Sequence, residues 1–272
     1  MAHVALQAGA TRLRLFGSEA RTIHIAGRPV TVEPLQNAAP LGGGEWLVVH
    51  AAVAGATRET NLQRQRALND GMLADVLGLT ATGHVRRLAH ASSGAVYHPP
   101  GEGSAVAQAY RELKSDQETL VRTWSRRTGV PILLPRIFNV GGPYITHARN
   151  YALGDFIQQA RRTGRIVIGA RKPVVRSYVH VLELARVTYA LALDDDAPEA
   201  FDTAGPEAVE LGQLAQAVGR ALDLPHLEVV RPAPDTDAAD RYVGDGRVFQ
   251  QTLARLEAAP VSLEQIVRDT TA

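Results

Sequence analysis

Tyr110 and Lys114 stand four residues apart in a helical pattern, so both side chains leave one face of a helix about a turn apart. A phenol with a pKa of about 10 is a weak acid–base group at neutral pH, and a neighbouring ammonium favours its phenolate. Lysine suits that role, and here it is a selective choice: of the 29 basic residues only Lys114 and Lys172 are lysine. Ser93 ends the apolar run before the helix and offers a hydroxyl to the same substrate oxygen, positioning it for proton transfer. A Tyr/Lys pair on a solvated face is the plainer explanation of the spacing. The arginine bias and the SSGAVY turn, placed where the partner hydroxyl is needed, weigh against it.

Holding such a trio takes strands and helices in order. Short apolar, β-branched runs alternate with longer helical patterns, which predicts βαβ units and a parallel sheet. A strand over Trp46–His50 precedes a helix from about Glu59 to Leu77, and Val85–Ser92 is the next strand. A second helix runs from about Ser104 to Arg127, and Ile132–Phe138 forms a strand between Pro131 and the Gly141-Gly142-Pro143 turn. In doubly wound sheets ligands lie beyond the carboxyl ends of the strands, so His50, Ser93 and Asn139 are expected on one rim. The pattern then changes to a helix over Ala152–Arg162, short strands around Ile166 and Val174, a helix over Leu182–Leu193 and two more helices.

Composition removes whole classes of function. The 272 residues are 45% apolar and 21% charged, an ordinary globular balance. The net charge is +1 with no basic run interleaved with aromatics, so no nucleic-acid partner is expected. No cysteine is present, which excludes disulfides and thiolate metal sites and fits a cytoplasmic protein. The opening residues lack a signal-peptide pattern, and no stretch reaches the roughly 18 apolar residues of a membrane span. The nine histidines show no zinc-type spacing, so no metal is expected, and His50 reads as structural. HASSG lacks the first glycine of a nucleophile elbow, which argues against a hydrolase at Ser92 or Ser93.

Taken together, the motifs resemble the extended short-chain dehydrogenase/reductase family, the NAD-dependent epimerases and dehydratases that act mostly on nucleotide sugars. VVHAAVAG resembles its strand-4 motif, Asn61 falls at its helix asparagine, SSGAVY places Ser93 on its catalytic Ser/Thr, and Tyr110 and Lys114 match YxxxK. PRIFNVGGP and VRSYVHVLELA resemble later segments, and the carboxyl-terminal FDTAGPEAVELGQLAQAVG and RYVGD…VSLEQIVRDT follow in family order. The resemblance implies an α/β fold with a Rossmann-like doubly wound parallel sheet over 1–145. A smaller α/β substrate-binding portion follows over 146–272, with 174–203 returning to the core. It implies Ser93, Tyr110 and Lys114 as catalytic residues. NAD or NADP would lie against Ala51, Ala52, Tyr110 and Lys114, and a nucleotide sugar against Asn139, Arg176 and Arg231. It also implies a homodimer through the two long helices.

The amino terminus departs from the family. One alignment makes His3–Gly9 the end of a helix and RLRLF a second strand; the other makes VALQAGAT a degenerate first strand, with Gly9 kept and Arg12 where a second glycine belongs. Gly42-Gly43-Gly44 reads as a loop, RLRLF is followed by Gly17 and Ser18 where an acidic residue is expected, and Pro34 stands where an adenine-side aspartate is expected. Gly94 and Ala95 after Ser93 argue against the dehydratase and decarboxylase branches. Three functions remain: an epimerase/reductase-like enzyme, a cofactor-independent isomerase, lyase or cyclase on the same fold, and a non-catalytic binding subunit.

Overall fold

The computed structural model describes the chain except residues 26, 55–60, 102, 146–150, 234, 237 and 271–272. Gly55 of VVHAAVAG and Glu59, the expected start of the first long helix, lie outside the described residues. Two compact units emerge, Met1–Arg136 with Thr188–Phe201, and Ile137–Val187 with Asp202–Ala272.

The first unit opens with helix α1 (Ala2–Gln7), then β1 (Leu15–Gly17), β2 (Arg21–Ile25) and β3 (Arg28–Pro34). β1 pairs parallel with β3, and β2 pairs antiparallel with it, as a separate three-stranded sheet. The helix corrects the alignment that made VALQAGAT a strand; AHVALQ holds good helix formers and buries Val4. Next come β4 (Gly42–His50), α2 (Leu62–Thr80), β5 (Gly83–His90), β6 (Ser92–Ser93), α3 (Ala105–Thr128) and β7 (Ile132–Ile137). Gly42–Gly44, expected as a loop, open β4 instead. Gly42 pairs with Gly83, and the register slips before Glu45, with Gly42 and Gly44 at φ 70 and 98. Glycine tolerates that irregularity, which is why a loop-like tripeptide can lie in a strand.

The main sheet runs Ala200–Asp202, β7, β5, β4, with β6 attached to β7. β4 and β5 pair in parallel with His50 opposite His90, and β5 pairs in parallel with β7. Leu73 and Val76 of α2 and Val121 of α3 close on Leu88, Ile132 and Leu134 of the strands. Helix ends are capped locally: Asn61 accepts from the Arg64 N–H, Ser104 accepts from the Ala107 N–H, and Gly129 closes α3 in the left-handed region.

In the second unit β8 (Val140–Gly141) pairs in parallel with Val179–His180. Val174–Arg176 lies between Val209–Glu210 and Asp240–Tyr242, and Arg165–Val167 pairs with Glu228–Val230. Its core joins Leu153, Phe156, Ile166, Leu214, Val218 and Ile266. Three helices follow Val181–Leu193, at Leu211–Ala221, Arg247–Arg255 and Leu263–Thr270, where two were expected.

Candidate active site

Three rungs of α3 carry the candidate acid–base chemistry. Glu118, buried at 3% exposure, accepts from Ser92 Oγ at 2.6 Å, from Arg136 Nε and Nη2 at 2.9 and 2.8 Å, and from Arg122 Nη1 at 2.8 Å. Burial alone would raise its pKa, but hydrogen bonds from Arg136 and Ser92 hold it down at about 2. One turn earlier Lys114, 4% exposed, donates from Nζ to the Ala91 carbonyl at 2.9 Å. Burial pushes its pKa down to about 8, against the opposing pull of Glu118. Ala91 and Ser92 are thus both gripped by α3, which sets the helix against the segment that carries Ser93. Ser93 is buried, and its Oγ accepts from the Ala95 N–H at the turn Gly94–Tyr97. Tyr110, a further turn back, is 36% exposed. The row therefore runs from a buried, fully ionic anchor to a phenol at the surface.

Glu118, His90 and Asn69 escaped the sequence reading, and His50, read there as structural, has a partner it did not foresee. His50 and His90 meet Nδ1 to Nδ1 at 2.9 Å at the carboxyl ends of β4 and β5. Burial, with the Lys114 charge, pushes them down to about 4 and about 3, so both are neutral. Asn69 is buried on α2, accepts from the Ala54 N–H and donates to the Ala54 carbonyl, each at 3.0 Å. It fixes the end of the segment after β4 that carries the exposed Ala51 and Ala52. Glu118 was legible as a carboxylate on the row of Lys114, and Asn69 as an amide on the apolar row of Leu73 and Val76. The His90 partnership depends on strand register and left no local signal.

The expected substrate residues belong to the second unit. Asn139 donates from Nδ2 to the Ser177 carbonyl at 3.2 Å. Arg176 pairs with Asp240 at 3.3 Å, and Arg231 pairs with Glu210 at 2.8 Å. Each guanidinium thus has a carboxylate of its own.

The family model of the NAD dependent epimerase/dehydratase family matches residues 46–204. The chain belongs to that family. Its match begins at Trp46 in β4 and takes in Ser93, Tyr110, Lys114, Asn139 and Arg176. UDP-glucuronic acid decarboxylase 1 of Arabidopsis thaliana is 28% identical over 126 residues, 46% of this chain and 28% of that protein. The chain spans well under half the length of the curated relatives it matches. UDP-glucose 4-epimerase of Thermotoga maritima, solved with UDP-glucose, superposes with a TM-score of 0.66 at 20% identity, covering 82% of this chain and 75% of that one. UDP-glucuronic acid 4-epimerase of Bacillus cereus, solved with NAD, gives 0.63 at 18%, covering 82% and 70%. At such identities these likenesses show the fold alone: a Rossmann-like α/β architecture.

NAD is the cofactor that the family name implies. Residues 2–7 form a helix, and Gly9, at φ 86, follows that helix, so VALQAGAT is not a strand-to-helix glycine turn. Arg12 lies over the Trp46 ring at 4.5 Å and donates to the Gly43 carbonyl, and β1 runs on into Gly17 and Ser18 with no acidic residue.

Proposed function

We propose that this chain is an epimerase/reductase-like enzyme of the family. Tyr110 exchanges a proton with a hydroxyl of a nucleotide sugar, Ser93 holds that oxygen, and Lys114 favours the phenolate. The observation that carries this reading is the Lys114–Ala91 hydrogen bond beside the Glu118–Ser92 bond: it sets a buried cation one turn below Tyr110 and beside the strand end of Ser93. In the family NAD accepts and returns hydride; here every proton step is assigned to Tyr110, Ser93 and Lys114 alone. Gly94 and Ala95 place no carboxylate beside Ser93, which favours epimerase-type over decarboxylase chemistry. Arg176 and Arg231 are read as the diphosphate ligands and Asn139 as a sugar-facing amide. The same reading makes the protein a cytoplasmic homodimer through α2 and α3, where Leu68 and Leu120 are each 47% exposed. Among the described residues no helix is long and apolar enough to cross a membrane.

A second reading, acid–base isomerisation, elimination or ring closure without a cofactor, is favoured by Gly17 and Ser18 directly after RLRLF, where the family resemblance implies an acidic residue for the adenosine ribose. Calorimetry with NAD(H) and NADP(H), followed by NMR of UDP-glucose and UDP-glucuronic acid incubated with and without cofactor, separates the two. Conversion that requires micromolar-affinity cofactor supports the first. Conversion by nucleotide-free protein at full rate overturns the first and leaves the second.

A further inference from the structure

In the second unit one carboxylate, Asp240, is paired with both Arg176 and Lys172. Val174–Arg176 runs parallel to Asp240–Tyr242 with Val174 opposite Asp240 and Arg176 opposite Tyr242. Alternate residues of a strand share a face, so Asp240 stands diagonally across from Arg176 on the same side. Arg176 Nη1 donates to the Asp240 carbonyl at 2.9 Å and to Oδ1 at 3.3 Å, as well as to the Val175 carbonyl at 3.0 Å. Lys172, the second lysine of the chain, brings Nζ to 3.5 Å from the other carboxylate oxygen. The Arg176 guanidinium also lies 5.8 Å from the Tyr242 ring centroid, and the Tyr242 ring packs tilted against Phe138 with centroids 4.6 Å apart. Although burial opposes it, the charges of Arg176 and Lys172 lower the Asp240 pKa, so the group is an anion at neutral pH.

We propose that Asp240 is a specificity residue that competes with ligand phosphate for Arg176 and Lys172. This inference rests on the reading of Arg176 as a phosphate ligand. An incoming anion must loosen one charge-assisted contact to make its own, and it meets like-charge repulsion from the carboxylate while doing so. A diphosphate, with more charge and more acceptor oxygens than a single carboxylate or phosphate, exchanges favourably; a weaker anion does not. Asp240 thereby sets a threshold that keeps Arg176 from holding adventitious anions. Arg231 is occupied separately, by Glu210 at the amino-terminal cap of Leu211–Ala221.

The test is calorimetric titration of the wild type, Asp240→Asn, Asp240→Ser and Asp240→Asn/Arg176→Gln with pyrophosphate, UDP and inorganic phosphate at one fixed ionic strength. Circular dichroism establishes that each variant is folded. Asn keeps the shape of Asp and removes its charge, while Ser also removes any amide contact to the guanidinium. Both single variants are expected to bind pyrophosphate and UDP about fivefold tighter or more, with a larger gain for inorganic phosphate, and the double variant is expected to lose the gain. Equal or weaker binding by the two single variants overturns the competition and makes Asp240 a support that orients Arg176. Absence of pyrophosphate and UDP binding in every protein overturns the phosphate reading of Arg176, and the inference with it.

Discussion

The α3 rim and the amino-terminal segment of the first unit both contain arginines, but they use them in opposite ways. On the α3 rim, Arg122 and Arg136 neutralise a buried carboxylate and so fix the strand end that carries Ser93. In the amino-terminal segment, Arg12 and Arg14 reach backbone carbonyls and aromatic faces, with Arg14 also paired to Glu33. A buried ionic anchor is expensive to break, because removing one partner strands the other charge out of water. Surface guanidinium contacts are each worth little. The first region therefore holds its geometry against change, whereas the second rests on contacts that are each cheap to lose.

Glu118→Ala strands Arg136 and is the severest way to break this contrast. It is expected to cost about 3–5 kcal/mol in urea unfolding. A loss below about 1 kcal/mol would show that the anchor is not what holds the rim. Lys114→Met separates chemistry from stability. The Lys114 pKa falls from an ordinary 10.5 to about 8 in the fold, so the unfolded chain binds this proton more tightly. Below pH 8 that difference opposes folding, and it fades as pH rises toward 10.5. Lys114→Met should lose about 100-fold or more in turnover at pH 7 while its Tm holds or rises; parallel losses of both would assign the lysine to structure.

The histidine pair sharpens the contrast through pH. His50 and His90, at about 4 and about 3 in the fold, accept protons far more readily in the unfolded chain, which titrates near 6.5. Their contribution is present above that value and is lost as pH falls toward 4, by up to about 1.4 kcal/mol per pH unit for each histidine. Tm measured from pH 7.5 to 4.5 should drop steeply, and His90→Phe should roughly halve the slope; an unchanged slope would rule the pair out as its source. Arg12→Ala is the mildest change. It should cost about 0.5–1 kcal/mol and leave turnover within twofold, since Arg12 stacks on Trp46 at the surface. A larger loss of turnover would bring the amino-terminal segment into the chemistry.

Periodicity carried the alternation of strands and helices through β7, and spacing carried Tyr110 and Lys114, because both are local properties of the chain. Gly42–Gly44 misled because a glycine run reads as a turn, whereas here it is a register slip inside β4 whose partner, Gly83, lies 41 residues on. His50 and His90 became a pair only through the β4–β5 register. Ser92, Glu118 and Arg136 became an anchor only once β6, α3 and β7 were packed. The amino terminus was ambiguous for a different reason: AHVALQ has too few residues for its apolar spacing to distinguish helix from strand, and the packing of Val4 accompanies the helix.

The account stands on proton transfer by Tyr110. Its most direct test is NMR-monitored conversion of UDP-glucose and UDP-glucuronic acid by wild type and Tyr110→Phe side by side, with NAD(H) present and absent. A rate in the variant about 100-fold or more below that of the wild type, with an unchanged Tm, is the predicted result. Wild-type turnover in Tyr110→Phe would contradict the account.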